Sequence, residues 1–195
     1  MIEVPLPLER AIPLPGEFRH QSSLHGQRHV GRVMVHAMRL AHARGHDDRL
    51  RAALWAAVYI HDLERRHDGE CTQHGRWAAR RLADHAPTLA RLDEGGVQAV
   101  DRLAIRTAVT FHSLPRELPA SHAHWTLTAL LKDADALDRV RLGDLDPRYL
   151  RLRESHGMID FAQRLFDGSD HLDEGPAFFA DVVRLSRSLL PASSR

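Results

Sequence analysis

Residues 49–62 read "RLRAALWAAVYIHD". From Leu50 to Ile60 the apolar side chains occupy nearly every side of a helical wheel rather than one stripe. A helix that is hydrophobic all round belongs in the centre of a helical protein. The run then stops on an imidazole and a carboxylate, His61 and Asp62. A carboxylate at the end of a buried helix costs roughly several kcal/mol unless a cation or several hydrogen bonds compensate it. This one stretch therefore sets two expectations: a bundle built around it, and a compensating group at its end.

The flanking sequence extends the helical pattern. Val30, Val33, Met34, Ala37, Leu40 and Ala41 recur at three- and four-residue spacing, and the turn residues Gly45, His46, Asp47 and Asp48 separate them from the central run. Further helices are predicted at 73–90 with Thr72 as N-cap, at 96–112, at 122–141 opened by Ser121, at 147–167 and at 175–190. No alternating strand pattern of any length occurs. The expected fold class is all-α, a compact helical bundle of six or seven helices without internal repeats. Residues 1–19 carry Pro5, Pro7, Pro13 and Pro15, which fix backbone angles and remove amide donors. They are expected to form an extended N-terminal arm ahead of a single helical domain at 20–195.

Composition excludes several classes of function. A chain of 195 residues that is 43% hydrophobic can bury the core of one domain. Its 27 basic and 26 acidic residues create no single-signed field, so neither nucleic acid nor an anionic membrane is an expected partner, and an anionic ligand must be held locally. The lone Cys71 rules out an intrachain disulfide and a multi-cysteine zinc site. No stretch approaches the roughly 18 continuous apolar residues of a membrane span. The segment "MIEVPLPLERAIPLPGEF" lacks the basic region and apolar core of a secretory signal, so a cytoplasmic location is expected. Lys132 is the single lysine among the basic residues, an imbalance that a GC-rich genome produces without functional meaning. The 15 histidines carry more information, because histidine is the commonest metal ligand and the side chain that most easily changes charge near neutrality.

The dipeptide His-Asp is no evidence by itself, since this composition yields about 1.3 copies by chance. Three occur: His46-Asp47 in a Gly-containing turn, His67-Asp68 in a charged loop, and His61-Asp62 at the end of the central run. Only the last is placed where burial makes it costly. Upstream, His25 and His29 in "SSLHGQRHVGRV" are four residues apart and share a face if helical, although Gly26 and Gly31 weaken the start of that helix. The pair lacks the glutamate of the His-Glu-x-x-His metalloprotease signature. Downstream, in "ALLKDADALDRV", Leu127, Leu130, Leu131 and Ala134 form an apolar face. Asp138 falls within that face, Asp135 at its edge and Asp133 on the far side, so periodicity favours Asp138 slightly as the buried acid.

The combined order resembles the HD superfamily of metal-dependent phosphohydrolases. A histidine in a first helix, His-Asp closing a central apolar helix, and an aspartate in "KDADALDR" on a later helix carry the resemblance, which covers about residues 22–142. The strings "HGQRHVGRV" and "CTQHGRWAA" are similar to a small single-domain branch of that superfamily. The resemblance implies metal ligation by His29, His61, Asp62 and Asp135, overriding the periodicity preference for Asp138. It also implies hydrolysis of a phosphate mono- or diester, a nucleotide or related small metabolite. Two imidazoles and two carboxylates suit Mn²⁺, Fe²⁺, Co²⁺, Ni²⁺, Zn²⁺ or Mg²⁺ and leave octahedral positions for water and substrate. A metal there would acidify water and polarise a phosphoryl oxygen. The alternative for these four residues is an ordinary buried network of histidine and carboxylate hydrogen bonds.

Neighbouring residues are candidates for the remaining roles. Asp62 is expected to act in catalysis, with Glu64 as proton acceptor and Arg65 and Arg66 as phosphate anchors, unless these three form a solvated charged loop. His25, Arg28, His74, His112 and Lys132 are candidates for substrate binding, with a surface or salt-bridging lysine as the alternative for Lys132. Asp138 is expected as an acceptor behind the ligands or as an arginine's partner. Cys71 is expected to be structural. "SLPRELPAS" after His112 either covers the site as a lid carrying Arg116 or simply connects two helices. One tightly bound ion is expected, with His74 and His112 lining the pocket; a second ion would have to use those two histidines. Two other functions remain open: a di-iron enzyme for oxygen-dependent cleavage, and a non-catalytic metal- or nucleotide-binding regulator.

Overall fold

The apolar run folds into a helix, α2 (Asp48–Ile60), in which every residue from Ala52 to Ile60 is buried. The computed structural model describes residues 11–82 and 99–190 of the chain. Asp47 caps α2, its side chain accepting a hydrogen bond of 2.9 Å from the Leu50 amide. Before it, α1 (Gln27–Ala43) ends in a turn where Gly45 adopts φ 66°. There follow α3 (His74–Arg80), α4 (Ala99–His112), α5 (Trp125–Leu137), α6 (Arg153–His156), α7 (Ile159–Ser169) and α8 (Phe178–Ser188). The described residues thus contain eight α-helices and no strand, and the fold is all-α as expected.

Helix α2 packs against α1, α4 and α5, while α3 lies on α4 and both α7 and α8 lie on α1. This arrangement buries α1 on nearly all sides, including the polar Arg32 and His36. Its three- and four-residue apolar spacing predicts only one buried face; the opposite face is covered by helices far along the chain. The last part of the arm also packs inward, with Ala11, Ile12 and Phe18 buried and the Arg19 amide donating to the Leu63 carbonyl at 3.0 Å. Residues 1–10 lie outside the described residues, as do 83–90 and 96–98 of the helices predicted at 73–90 and 96–112. No described helix is long and apolar enough to cross a membrane.

Several boundaries differ from the sequence expectation. Gln73 rather than Thr72 precedes α3, and His124 rather than Ser121 precedes α5; neither makes a side-chain cap. The segment predicted as one helix at 147–167 divides into a 3₁₀ turn (Pro147–Tyr149), α6 and α7. The break before α6 centres on Asp133, predicted on the far side of its helix but fully buried. Its carboxylate accepts from the amides of Arg151 and Leu152 at 2.9 and 2.8 Å, and from Ser155 Oγ at 2.7 Å. Those bonds hold Leu152 extended, and α6 starts at the next residue.

Asp133→Ala leaves those buried donors without an acceptor, at about 1–3 kcal/mol for each group. It is expected to lower the unfolding free energy by about 3 kcal/mol or more, as measured by urea denaturation. A midpoint equal to that of the wild type would contradict this account of the break between helices.

Candidate metal centre

Five imidazoles form a row at the end of α2. Neighbouring rings in the order His25, His29, His61, His112 and His74 meet edge to face, with centroids 5.8, 5.4, 5.1 and 4.8 Å apart. Helix ends bring most of them together: His29 lies in the first turn of α1, His74 opens α3, His112 closes α4 and His61 follows α2.

The protons of four of these rings are drawn to Nδ1 by oxygens outside the cluster. His61 Nδ1 lies 2.6 Å from the Val58 carbonyl and His112 Nδ1 lies 2.6 Å from the Val109 carbonyl. These are carbonyls of a last helical turn, which has no amide partners further along. His74 Nδ1 lies 2.7 Å from the Cys71 carbonyl and His29 Nδ1 lies 2.7 Å from Asp138 Oδ2. An oxygen acceptor at such a distance requires a hydrogen on the nitrogen. Each neutral ring therefore carries its proton on Nδ1 and a bare lone pair on Nε2.

Those lone pairs converge. His29 Nε2 is 3.3 Å from His61 Nε2, and His74 Nε2 is 2.9 Å from His112 Nε2. Asp62 lies between the pairs and turns one oxygen to each. Its Oδ2 is 3.2 Å from His25 Nδ1, 3.5 Å from His29 Nε2 and 3.8 Å from His61 Nε2. Its Oδ1 is 3.1 Å from His74 Nε2 and 3.8 Å from His112 Nε2. Asp135 Oδ1 approaches His29 Nε2 at 3.3 Å from the solvent side, and its side chain is 32% exposed. Acceptors facing acceptors at these separations repel one another unless a cation lies among them.

The donor set fits a divalent ion. Nitrogen ligands about 2.1 Å from a metal lie about 3.0 Å apart at an octahedral right angle and about 3.4 Å apart in a tetrahedron, close to the spacings of the two histidine pairs. Among the described residues the groups able to hold a metal are His25, His29 and Asp62; His29, His61 and Asp135; and His61, Asp62 and His112. Protons satisfy the cluster only in part. Burial lowers the His61 pKa to about 4 against the pull of Asp62, and burial likewise lowers that of His74. Burial and Arg141 oppose protonation of His29, but Asp135 and Asp138 outweigh them and raise its pKa. Burial also opposes ionisation of Asp62 and Asp135. Against burial, the surrounding imidazoles of His61, His112, His25 and His74 hold Asp62 well below the ordinary carboxylate range, and His29 does the same for Asp135.

The other candidates are placed unevenly. Arg65 enters the site: its Nε is 3.4 Å from Asp62 Oδ1 without a hydrogen-bond acceptor, while Nη1 is anchored on the carbonyls of His67 and Gly69. Glu64 instead pairs with Arg81 at 2.7 Å and Arg19 at 3.6 Å. Arg66 stacks on Trp77, 4.1 Å from the ring centroid. Lys132 donates to the carbonyls of Leu114 and Arg116 and to Glu117, so its three protons pin the connection after α4 rather than a substrate. Arg28 meets Glu174 through its backbone amide. Asp138 is buried as periodicity suggests, but it stands behind His29 and not among the converging atoms. Arg32 and Arg141, which meet Asp138, were not legible as site residues. The signal available for Arg32 was a charge on an apolar helix three residues after His29.

Comparison of the chain with protein-family models, curated proteins and solved structures finds no match. The likeness to the HD superfamily accordingly rests on the order and placement of His29, His61, Asp62 and Asp135.

Gly75 allows α3 to approach α4. A Cβ there would stand 2.2 Å from the Val109 carbonyl oxygen and 3.0 Å from His112 Cε1. Gly75→Ala is expected to force the helices apart and to cost about 1–3 kcal/mol, read as a lower melting midpoint. An unchanged midpoint would contradict the close packing that joins His74 to His112.

Proposed function

We propose that the chain is a metal-dependent phosphohydrolase whose centre would take two divalent ions, one at each histidine pair beside Asp62. The observation that carries this reading is the convergence of four Nε2 lone pairs, their protons all turned outward, on a buried carboxylate that offers one oxygen to each pair. His29, His61 and Asp135 would hold one ion, and His74 and His112 the other. From the sequence one ion is expected; the contacts of His74 and His112 with Asp62 Oδ1 favour two. Bound divalent ions supply Lewis acidity toward a phosphoryl oxygen and toward water.

The protein's own groups have separate tasks in this scheme. Arg65 is preorganised by two carbonyls and directs an uncommitted N–H beside Asp62, where it would hold the charge of a phosphate oxygen. His25 donates to Asp62 Oδ2 and fixes the carboxylate plane. Glu64 is withdrawn from proton transfer by its arginine partners. The substrate class this supports is a phosphate mono- or diester small enough to reach Asp135 at the open side, a nucleotide or related metabolite. The same ligand set also suits a di-iron enzyme, a reading favoured by the second histidine pair alone.

Calorimetry with Mn²⁺ is expected to give two ions per wild-type chain and one in His112→Ala. Phosphate release from nucleotides and simple phosphoesters is expected to require the metal, and to fall by about 10²-fold or more in Asp62→Ala. Hydrolysis that survives both chelation and Asp62→Ala would overturn the proposal. Turnover only with iron and oxygen would replace it with the oxygenase.

A further inference from the structure

Behind His29, Asp138 occupies a wholly buried position where α5 gives way to a 3₁₀ turn (Asp138–Leu142). Its Oδ2 accepts from His29 Nδ1 at 2.7 Å and its Oδ1 from Arg32 Nε at 2.6 Å. Arg32 Nη2 reaches Oδ2 at 3.3 Å, and Arg141 Nη1 stands 3.3 Å from the same oxygen. Two guanidinium groups thus face one carboxylate, so Asp138 remains an anion although burial opposes its charge. Arg32 is itself 2% exposed and rests over the Phe166 ring at 5.1 Å, which ties the network to α7.

His29 has a carboxylate on each side and, when neutral, one proton for both. Asp135 Oδ1 is 3.3 Å from Nε2, while Asp138 Oδ2 is 2.7 Å from Nδ1. If the proton moved to Nε2, it would bond Asp135 and occupy the lone pair that a metal needs. The outcome of this competition decides whether the centre is open to an ion.

We propose that Asp138, held as an anion by Arg32 and Arg141, is a positioning residue that keeps the His29 proton on Nδ1 and presents Nε2 to the metal. The inference rests on the metal-centre reading above and deepens it. Asp138 is not a ligand: His29 stands between it and the other converging atoms.

The test uses the whole chain, ¹⁵N-labelled on histidine and metal-free, at alkaline pH where His29 carries one proton. Long-range ¹H–¹⁵N correlation is expected to show the Nδ1–H form of His29 in the wild type and a shift toward Nε2–H in Asp138→Asn. Calorimetry is expected to show Mn²⁺ affinity falling about 10–100-fold in that variant with its stoichiometry unchanged. Unchanged tautomer and affinity in folded Asp138→Asn would reduce Asp138 to a structural ion pair, and a lost equivalent of Mn²⁺ would make it a ligand; either result overturns the proposal. Arg32→Gln removes one cation from Asp138 and is expected to give smaller changes in the same direction. It decides the question if Asp138→Asn fails to fold, since wild-type tautomer and affinity there would overturn the role given to Arg32. A wild type that binds no Mn²⁺ would remove the metal-centre reading, while the tautomer measurement would still decide the role of Asp138.

Discussion

The structure depends on keeping Asp62 ionised in a buried place. The carboxylate is 3% exposed and follows a helix in which every residue from Ala52 to Ile60 is buried. Hydrogen bonds from surrounding protons do not fully compensate it, because the rings of His29, His61, His74 and His112 spend their Nδ1 protons on oxygens outside the cluster. The fold therefore gathers negative charge and lone pairs at one point and supplies cations only at its edges. Such an arrangement could hold a metal ion from solution.

The helices are arranged to serve that point. Helix ends leave carbonyls without partners, and His61 and His112 use those carbonyls to lock their rings. Gly75 lets α3 close on α4, and the burial of α1 between α2 and α8 fixes His29. Two charged groups lie at the edge of the cluster: Asp135 is partly exposed, and Arg65 sits in the loop after α2.

Part of this was legible in the sequence, and the residues show why. The all-round apolar character of 50–60 placed α2 in the centre, and Asp47 in a turn marked its start. His29, His61, Asp62 and Asp135 were picked out by their order, and the structure brings them together. Local patterns could not place residues whose partners lie far along the chain. The burial of Asp133 depends on amides at 151 and 152, and that of Arg32 on Asp138, 106 positions away. Lys132 and Glu64 sit beside motif residues in sequence, yet distant partners turn them elsewhere: Glu117 takes Lys132, while Arg19 and Arg81 take Glu64. The proposal of two ions rather than one rests on which histidines each Asp62 oxygen faces, which no spacing encodes.

Anomalous diffraction from crystals of the Mn²⁺-loaded protein tests the central claim most directly. Two peaks are expected, one on each side of the Asp62 carboxylate, the first within coordination distance of His29, His61 and Asp135 and the second of His74 and His112. A loaded crystal without a peak at Asp62, or with manganese held elsewhere, would contradict the account.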